Sequence, residues 1–171
     1  FNPKHREFYN CIKSPKTKMG FVDGPAGSMK TYIAVYAGLE LIKQEQFNRM
    51  VYIRSVTESA ERSLGSLPGE IDDKFSPYSI PLEEKVIEIA DAGTYSMLKQ
   101  KGVVEAIPVN FVRGLTFNKS LVIVDEAQNL SRKELTTILT RFGRDSRYIV
   151  IGDCNQADVN KSGYKEIFNM F

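Results

Sequence analysis

Leu121-Val122-Ile123-Val124-Asp125-Glu126-Ala127-Gln128 decides how this chain is read. Four apolar residues, three of them β-branched, end abruptly in two adjacent carboxylates. An unbroken apolar run of this length predicts a strand buried on both faces, as in a parallel sheet. The acids then fall at the carboxyl end of the strand, where open α/β sheets place their ligands. Burying two neighbouring carboxylates is costly unless a cation compensates them.

A candidate for that compensation stands about a hundred residues upstream. Gly24-Pro25-Ala26-Gly27-Ser28-Met29-Lys30-Thr31 departs from the phosphate-loop pattern GxxxxGK(S/T) at one position, Met29. A triphosphate needs backbone N–H donors, a cation and a hydroxyl that holds Mg²⁺. Here Gly24 through Lys30 offer the amides, Lys30 the charge and Thr31 the metal contact. Asp125 is the second expected Mg²⁺ ligand, and Glu126 is the acid placed to orient or deprotonate an attacking water. Gln128 and Gln156 are uncharged hydrogen-bonders suited to sensing the terminal phosphate. Met29 has two readings. With helical φ the side chain is tolerable if its thioether turns away; with φ above zero it is strained by roughly 1–2 kcal/mol.

The flanking segments alternate as an α/β domain requires. Pro3 to Ser14 predicts a helix, Lys18 to Asp23 a strand, Thr31 to Gln46 a helix and Met50 to Arg54 a second strand of a βαβ unit. Between about 55 and 102 the alternation gives way to a helical insertion, with a turn at Leu64 to Gly69. Short helices follow over Gly69 to Phe75, Pro81 to Asp91 and Gly93 to Lys101, lying as a layer on the sheet. Val103 to Val109 is a third strand. Ser131 and Glu134 form a capping box, Leu130 and Leu135 staple the turn, and Ile138, Leu139 and Phe142 face inward until Gly143 stops the helix. Arg147 to Gly152 is another buried strand ending in Asp153, and Ser162 to Met170 a terminal helix. The expected architecture is a single domain over 1–171, a three-layer αβα sandwich with a parallel sheet of the P-loop NTPase kind.

Composition bounds the alternatives. The chain of 171 residues is 42% hydrophobic and 26% charged, with a net charge of +2. That is ordinary for a globular domain and neither demands nor excludes nucleic acid. Cys11 and Cys154 lack a CxxC partner and read as free thiols, and His5 has no metal-binding neighbours. No apolar run reaches the length of a membrane span, so the expected location is the cytoplasm. The first residue is Phe1 rather than Met, as in a trimmed chain. A GTPase would need NKxD, and neither Asn118-Lys119-Ser120-Leu121 nor Asn160-Lys161-Ser162-Gly163 supplies the Asp. A small-molecule kinase is disfavoured by Glu126 and the absence of an Arg-rich lid.

Several stretches together resemble the PhoH family of ATPases, whose core is RecA-like and akin to superfamily 1 helicases. Gly24 to Thr31 is similar to its GPAGTGKT, Leu64 to Glu70 to its LGFLPGD, Val124 to Asn129 to its LDEAQN, and Leu139 to Gly143 to its LTRLG. Gly152-Asp153 with Gln156 is similar to TGDxxQ, Lys161 to Gly163 to KSG, and Arg113-Gly114 to MRGRT with Leu115 at the second Arg. The short form resembles phage-encoded members, for which the location would be the host cytoplasm. The resemblance implies ATP and Mg²⁺, hydrolysis, a ring-shaped homo-oligomer (a hexamer is one candidate) and a connection to RNA or other single-stranded nucleic acid. A lone RecA-like lobe leaves the terminal phosphate open to water, so a neighbouring copy is expected to supply an arginine. Arg141 and Arg144 are the candidates. Arg54, Arg62 and Arg113 sit in loops that could face ATP or nucleic acid, and Phe111 is a candidate stacking group. The competing expectation, prompted by Met29, is a nucleotide-dependent assembly or regulatory module with negligible turnover.

Overall fold

The computed structural model describes residues 1–55, 71–156 and 162–170, the stretch 71–77 by backbone alone. The expected turn at Leu64 to Gly69, the LGSLPGE resemblance, Arg62 and Lys161 lie outside the described residues.

Five strands form one parallel sheet: β1 (Met19–Asp23), β2 (Arg49–Arg54), β3 (Val104–Pro108), β4 (Ser120–Asp125) and β5 (Arg147–Gly152), in the order β1-β5-β4-β2-β3. The predicted β1-helix-β2 unit is present, with β5 and β4 interposed between its two strands. Every residue of β4 and β5 is buried, as their unbroken apolar runs require.

Helices flank both faces: α1 (Pro3–Lys13), α2 (Lys30–Lys43), α3 (Ile71–Ile89), α4 (Ala92–Gln100), α5 (Arg132–Leu139) and α6 (Gly163–Phe168). One core joins Ile12, Ile33, Ala37, Leu82, Val86 and Tyr95 to Tyr52, Ile123 and Ile149, so α1 to α4 share a face. The other joins Leu135, Ile138, Tyr164 and Ile167 to Val51, Val122 and Val150, beneath α5 and α6. Crossovers that advance toward β3 lie on the first face, and the two connections that return, from β3 to β4 and from β4 to β5, lie on the second. Uniform crossover handedness demands that division. The loops after β1 and β4 therefore diverge to opposite sides and open a cleft at the carboxyl edge.

Local signals set several boundaries. Asn2 caps α1 by accepting from His5 N–H (2.8 Å), with Pro3 in the first turn. Asp91 caps α4 through Thr94 N–H (2.8 Å). The Ser131–Glu134 capping box is present, and Leu130 and Leu135 are both fully buried beside it. Arg147 Nε donates to Thr17 O at 2.8 Å and its Nη1 to Ile12 O, tying α1 to the sheet.

Two expectations need correction. Within the described residues, the two short helices predicted over Gly69 to Phe75 and Pro81 to Asp91 are one helix, α3, which runs through Pro77 and Pro81. A mid-helix proline costs about 3 kcal/mol, and α3 holds two, Pro77 and Pro81; burial of Leu82 and Val86 against the sheet works against that cost. At the end of α5, Gly143 is not the stop. The helix ends at Leu139, and Phe142 beyond it is 38% exposed rather than inward, its ring 5.0 Å from that of Tyr148. Gly143 is required for closeness instead, since a Cβ there would stand 2.3 Å from the carbonyl oxygen of Phe117. Among the described residues no helix is long and apolar enough to cross a membrane.

Candidate functional site

The Gly-rich turn occupies positions 24–29 between β1 and α2. Gly24 N–H donates to Gly152 O (3.2 Å), which ties the loop to the end of β5. Gly27 has φ +74, and Met29 has φ 62 and ψ 14 at the N-cap of α2. The second reading of Met29 therefore applies. A side chain stands where glycine is favoured, at a cost of roughly 1–2 kcal/mol, and at 42% exposure it recovers little by packing. Met29 makes no side-chain cap, so the amide end of α2 and its positive dipole face the cleft. Lys30 Nζ donates to Gly24 O (2.5 Å), Pro25 O (2.7 Å) and Ser28 Oγ (3.2 Å), which holds the ammonium over the loop.

Asp125 closes the cleft from β4. Odd-numbered residues of β4 face α2, so the last of them presents its carboxylate to the first turn of that helix. Thr31 Oγ1 donates to it, at 3.1 Å from Oδ1 and 3.0 Å from Oδ2. Tyr52 OH donates to Oδ2 (2.6 Å), and Glu126 N–H to Oδ1 (3.0 Å). Burial, then the neighbouring Asp125 charge, pushes the Tyr52 phenol well above its ordinary range, so it stays a donor.

Glu126 turns the chain with φ 52 and ψ 39, which carries its carboxylate off the strand line. That carboxylate accepts from Gln128 Nε2, and Arg54 Nη2 stands 3.9 Å away. Gln128 is 3% exposed, and its Oε1 accepts from Asp153 N–H (3.1 Å). Its amide thus links the acid turn to the end of β5. Asp153 is buried and accepts from Asn155 N–H (2.9 Å).

Ala26 to Thr31, Asp125, Glu126, Gln128 and Gln156 line one cleft, so the expected loop and acid residues converge. Gly24 and Pro25 stand behind it as acceptors of Lys30. Amides at an open helix end, an ammonium, a hydroxyl and a carboxylate could hold a polyphosphate and a hard cation. Arg141 and Arg144 are not brought there. Arg141 Nε donates to Thr137 O (3.3 Å), and Arg144 N–H to Asn118 Oδ1 (2.8 Å), at the amino edge of the sheet where β4 begins. Arg113 lies beside Ser131 and Lys133 in a separate groove. Phe111 is 60% exposed.

Sequence reasoning missed Tyr52, Tyr32, Lys85 and Glu88. The last three line the cleft from α2 and α3. Tyr32 directly follows the phosphate-loop threonine and could have been found from that. The others depend on strand register and helix packing, which leave no local signal.

The family model described as PhoH-like protein matches residues 2–171. A PhoH-like protein of Bacillus subtilis (strain 168) is 35% identical over 156 residues, covering 91% of this chain and 48% of that protein. A PhoH-like protein of Synechocystis is 34% identical over 163 residues, 94% of this chain and 49% of the relative. Protein PhoH of Escherichia coli K12 is 34% identical over 156 residues, 88% and 44% respectively. The chain spans a little under half the length of these curated relatives.

Proposed function

We propose, from the premise that this chain belongs to the PhoH-like protein family, that it binds and hydrolyses ATP with Mg²⁺ as a ring-shaped homo-oligomer acting on RNA or another nucleic acid. The observation that carries the nucleotide reading is the hydrogen bond between Thr31 and Asp125 inside the cleft that Lys30 and Glu126 also line.

Each residue has a role set by its chemistry. The amides of the loop and of the first turn of α2 bind phosphate oxygens, and Lys30 neutralises their charge. Thr31 and Asp125 would hold Mg²⁺, which when bound offsets charge on the terminal phosphates. Glu126 orients a water and accepts its proton at a carboxylate oxygen, and Gln156 donates toward the terminal phosphate. Gln128, with both ends of its amide engaged, sets the position of Glu126.

Arg141 and Arg144 suit a role in trans. They lie at the edge opposite their own cleft, so a head-to-tail neighbour could present them to it, and such contacts close into rings. Nucleic acid as the polymer rests on the family resemblance and on Arg113 and Phe111 at the surface. A reading as a nucleotide switch with negligible turnover is favoured by Met29 at positive φ and by the two partners already on Glu126.

Calorimetry with Mg-ATP, followed by turnover of wild type and Glu126→Gln, tests the proposal. Uptake by both and turnover by the wild type alone is expected. Turnover unchanged by the substitution would remove Glu126 from catalysis, and uptake by neither would end the nucleotide reading.

A further inference from the structure

We infer that Tyr52, which belongs to none of the motifs, is the positioning residue that locks the carboxylate of Asp125 for metal binding. The inference rests on the Mg-nucleotide reading of the cleft.

The argument is one of register and reach. In the pairing of β2 with β4, Tyr52 stands opposite Ile123, and Arg54 opposite Asp125. Tyr52 and Asp125 therefore project from the same face of the sheet, offset by two residues. That offset is about 6.6–6.8 Å along a strand, a gap a phenol spans, and its hydroxyl reaches Oδ2 at 2.6 Å. The ring is fully buried beneath α2, so the hydroxyl has a fixed origin.

The terminal torsion of an aspartate is broad and soft. Here it is held from two sides, with Oδ1 on Glu126 N–H and Oδ2 on Tyr52. What remains of each oxygen is turned toward Thr31. Outer partners of this kind fix the orientation of metal-binding carboxylates, and their loss typically weakens metal affinity about 10–100-fold.

A matched control lies in a neighbouring strand. Tyr148 of β5 is also fully buried, and its hydroxyl has no hydrogen-bond partner among the described residues. Tyr148→Phe removes a buried tyrosine hydroxyl without touching Asp125.

The test titrates Mg²⁺ into the protein with a fluorescent N-methylanthraniloyl derivative of ATP. Tyr52→Phe is expected to raise the Mg²⁺ half-point about tenfold or more, to leave affinity in EDTA within about twofold, and to differ in this from Tyr148→Phe, which shifts neither. A wild type that takes up no analogue fails at the nucleotide reading, before any variant is made. A wild type with Mg-dependent uptake and a Tyr52→Phe half-point within about twofold of it overturns the inference alone. Equal loss with Mg²⁺ and in EDTA also overturns it, since that marks a purely structural role. Should the phenyl variant not fold, NMR of the wild type with ring-labelled tyrosine gives a second reading: the Tyr52 resonance, and not that of Tyr148, is expected to shift when Mg²⁺ is added to the nucleotide complex, and an unmoved Tyr52 resonance overturns the inference.

Discussion

Thr31 Oγ1 lies 3.0 Å from Oδ2 of Asp125, although 94 residues separate the two in the chain. The bond joins the first turn of α2 to the end of β4 and closes the cleft at its base. It holds only if β4 and the phosphate loop meet at one edge of the sheet, so it summarises the topology in a single contact.

The two ends of that bond should respond differently to truncation. Asp125→Ala leaves the buried Tyr52 hydroxyl without its acceptor, at a cost of about 1–3 kcal/mol, and the urea midpoint should fall accordingly. Thr31→Ala orphans nothing buried and should leave the midpoint nearly unchanged while removing the Mg²⁺ dependence of nucleotide uptake. Equal destabilisation by both would contradict the distinction.

Met29 should be a site of easy stabilisation. Glycine relieves the left-handed penalty of roughly 1–2 kcal/mol and returns about 0.5–1 kcal/mol through the more flexible unfolded chain. Met29→Gly is therefore expected to gain up to about 1.5 kcal/mol in equilibrium unfolding. Met29→Val, with a β-branched side chain at φ 62, should lose stability. A glycine variant less stable than the valine one would show that the dihedral is not the constraint.

Gly143 and Gly38 both pack closely, against different obstacles. A Cβ on Gly143 meets backbone, Phe117 O at 2.3 Å, whereas one on Gly38 meets the side chains of Met50 (2.6 Å) and Leu121 (2.8 Å). Side chains can shift and a strand-leading backbone cannot, so Gly143→Ala should cost more than Gly38→Ala. Overpacking costs about 1–3 kcal/mol, and Gly38→Ala belongs at the low end. Chemical denaturation of both variants decides the order.

Burial, reinforced by the hydrogen bond and charge of Asp23, pushes the Cys154 thiol up to about 11. A folded value raised above the unfolded one contributes stability that is complete below the unfolded value and is lost as pH rises through the folded one. That contribution should therefore fade between about pH 9 and pH 11. Iodoacetamide at pH 8 should modify the exposed Cys11 well before Cys154, as mass spectrometry of time points would reveal. Faster labelling of Cys154 would overturn the assignment.

If Arg141 or Arg144 acts in trans, two inactive chains can repair one another. Arg141→Ala with Arg144→Ala leaves the cleft intact, and Glu126→Gln leaves the arginines intact. Mixed, they should recover turnover at interfaces that combine the two, against a loss of about a thousandfold or more in the arginine variant alone and a clear loss in Glu126→Gln alone. No recovery on mixing, with assembly verified by mass, rejects the trans assignment.

The legible parts of this protein were the local ones. The apolar run of β4 and the Ser131–Glu134 capping box are each completed within a few residues, and each is found where the pattern puts it. The continuous α3 was misread because Pro81 argues locally for a break, whereas Leu82 and Val86 are held by distant strands. Gly143 was misread as a helix stop because its close neighbour, Phe117, lies 26 residues away in sequence.

By itself the sequence determined the α/β alternation, the buried parallel strands and the membership of Lys30, Thr31, Asp125 and Glu126 in the candidate cleft. Hydrophobic period, helix caps and a Gly-rich turn act over one or two turns of chain, so they can be read without knowing what they touch. Only the tertiary structure decided the strand order, the positive φ of Met29, the reach of Tyr52 to Asp125 and the placing of Arg141 and Arg144 at the far edge. Those are relations between segments. Register and packing set them, and register costs nothing to write in many ways until the strands meet.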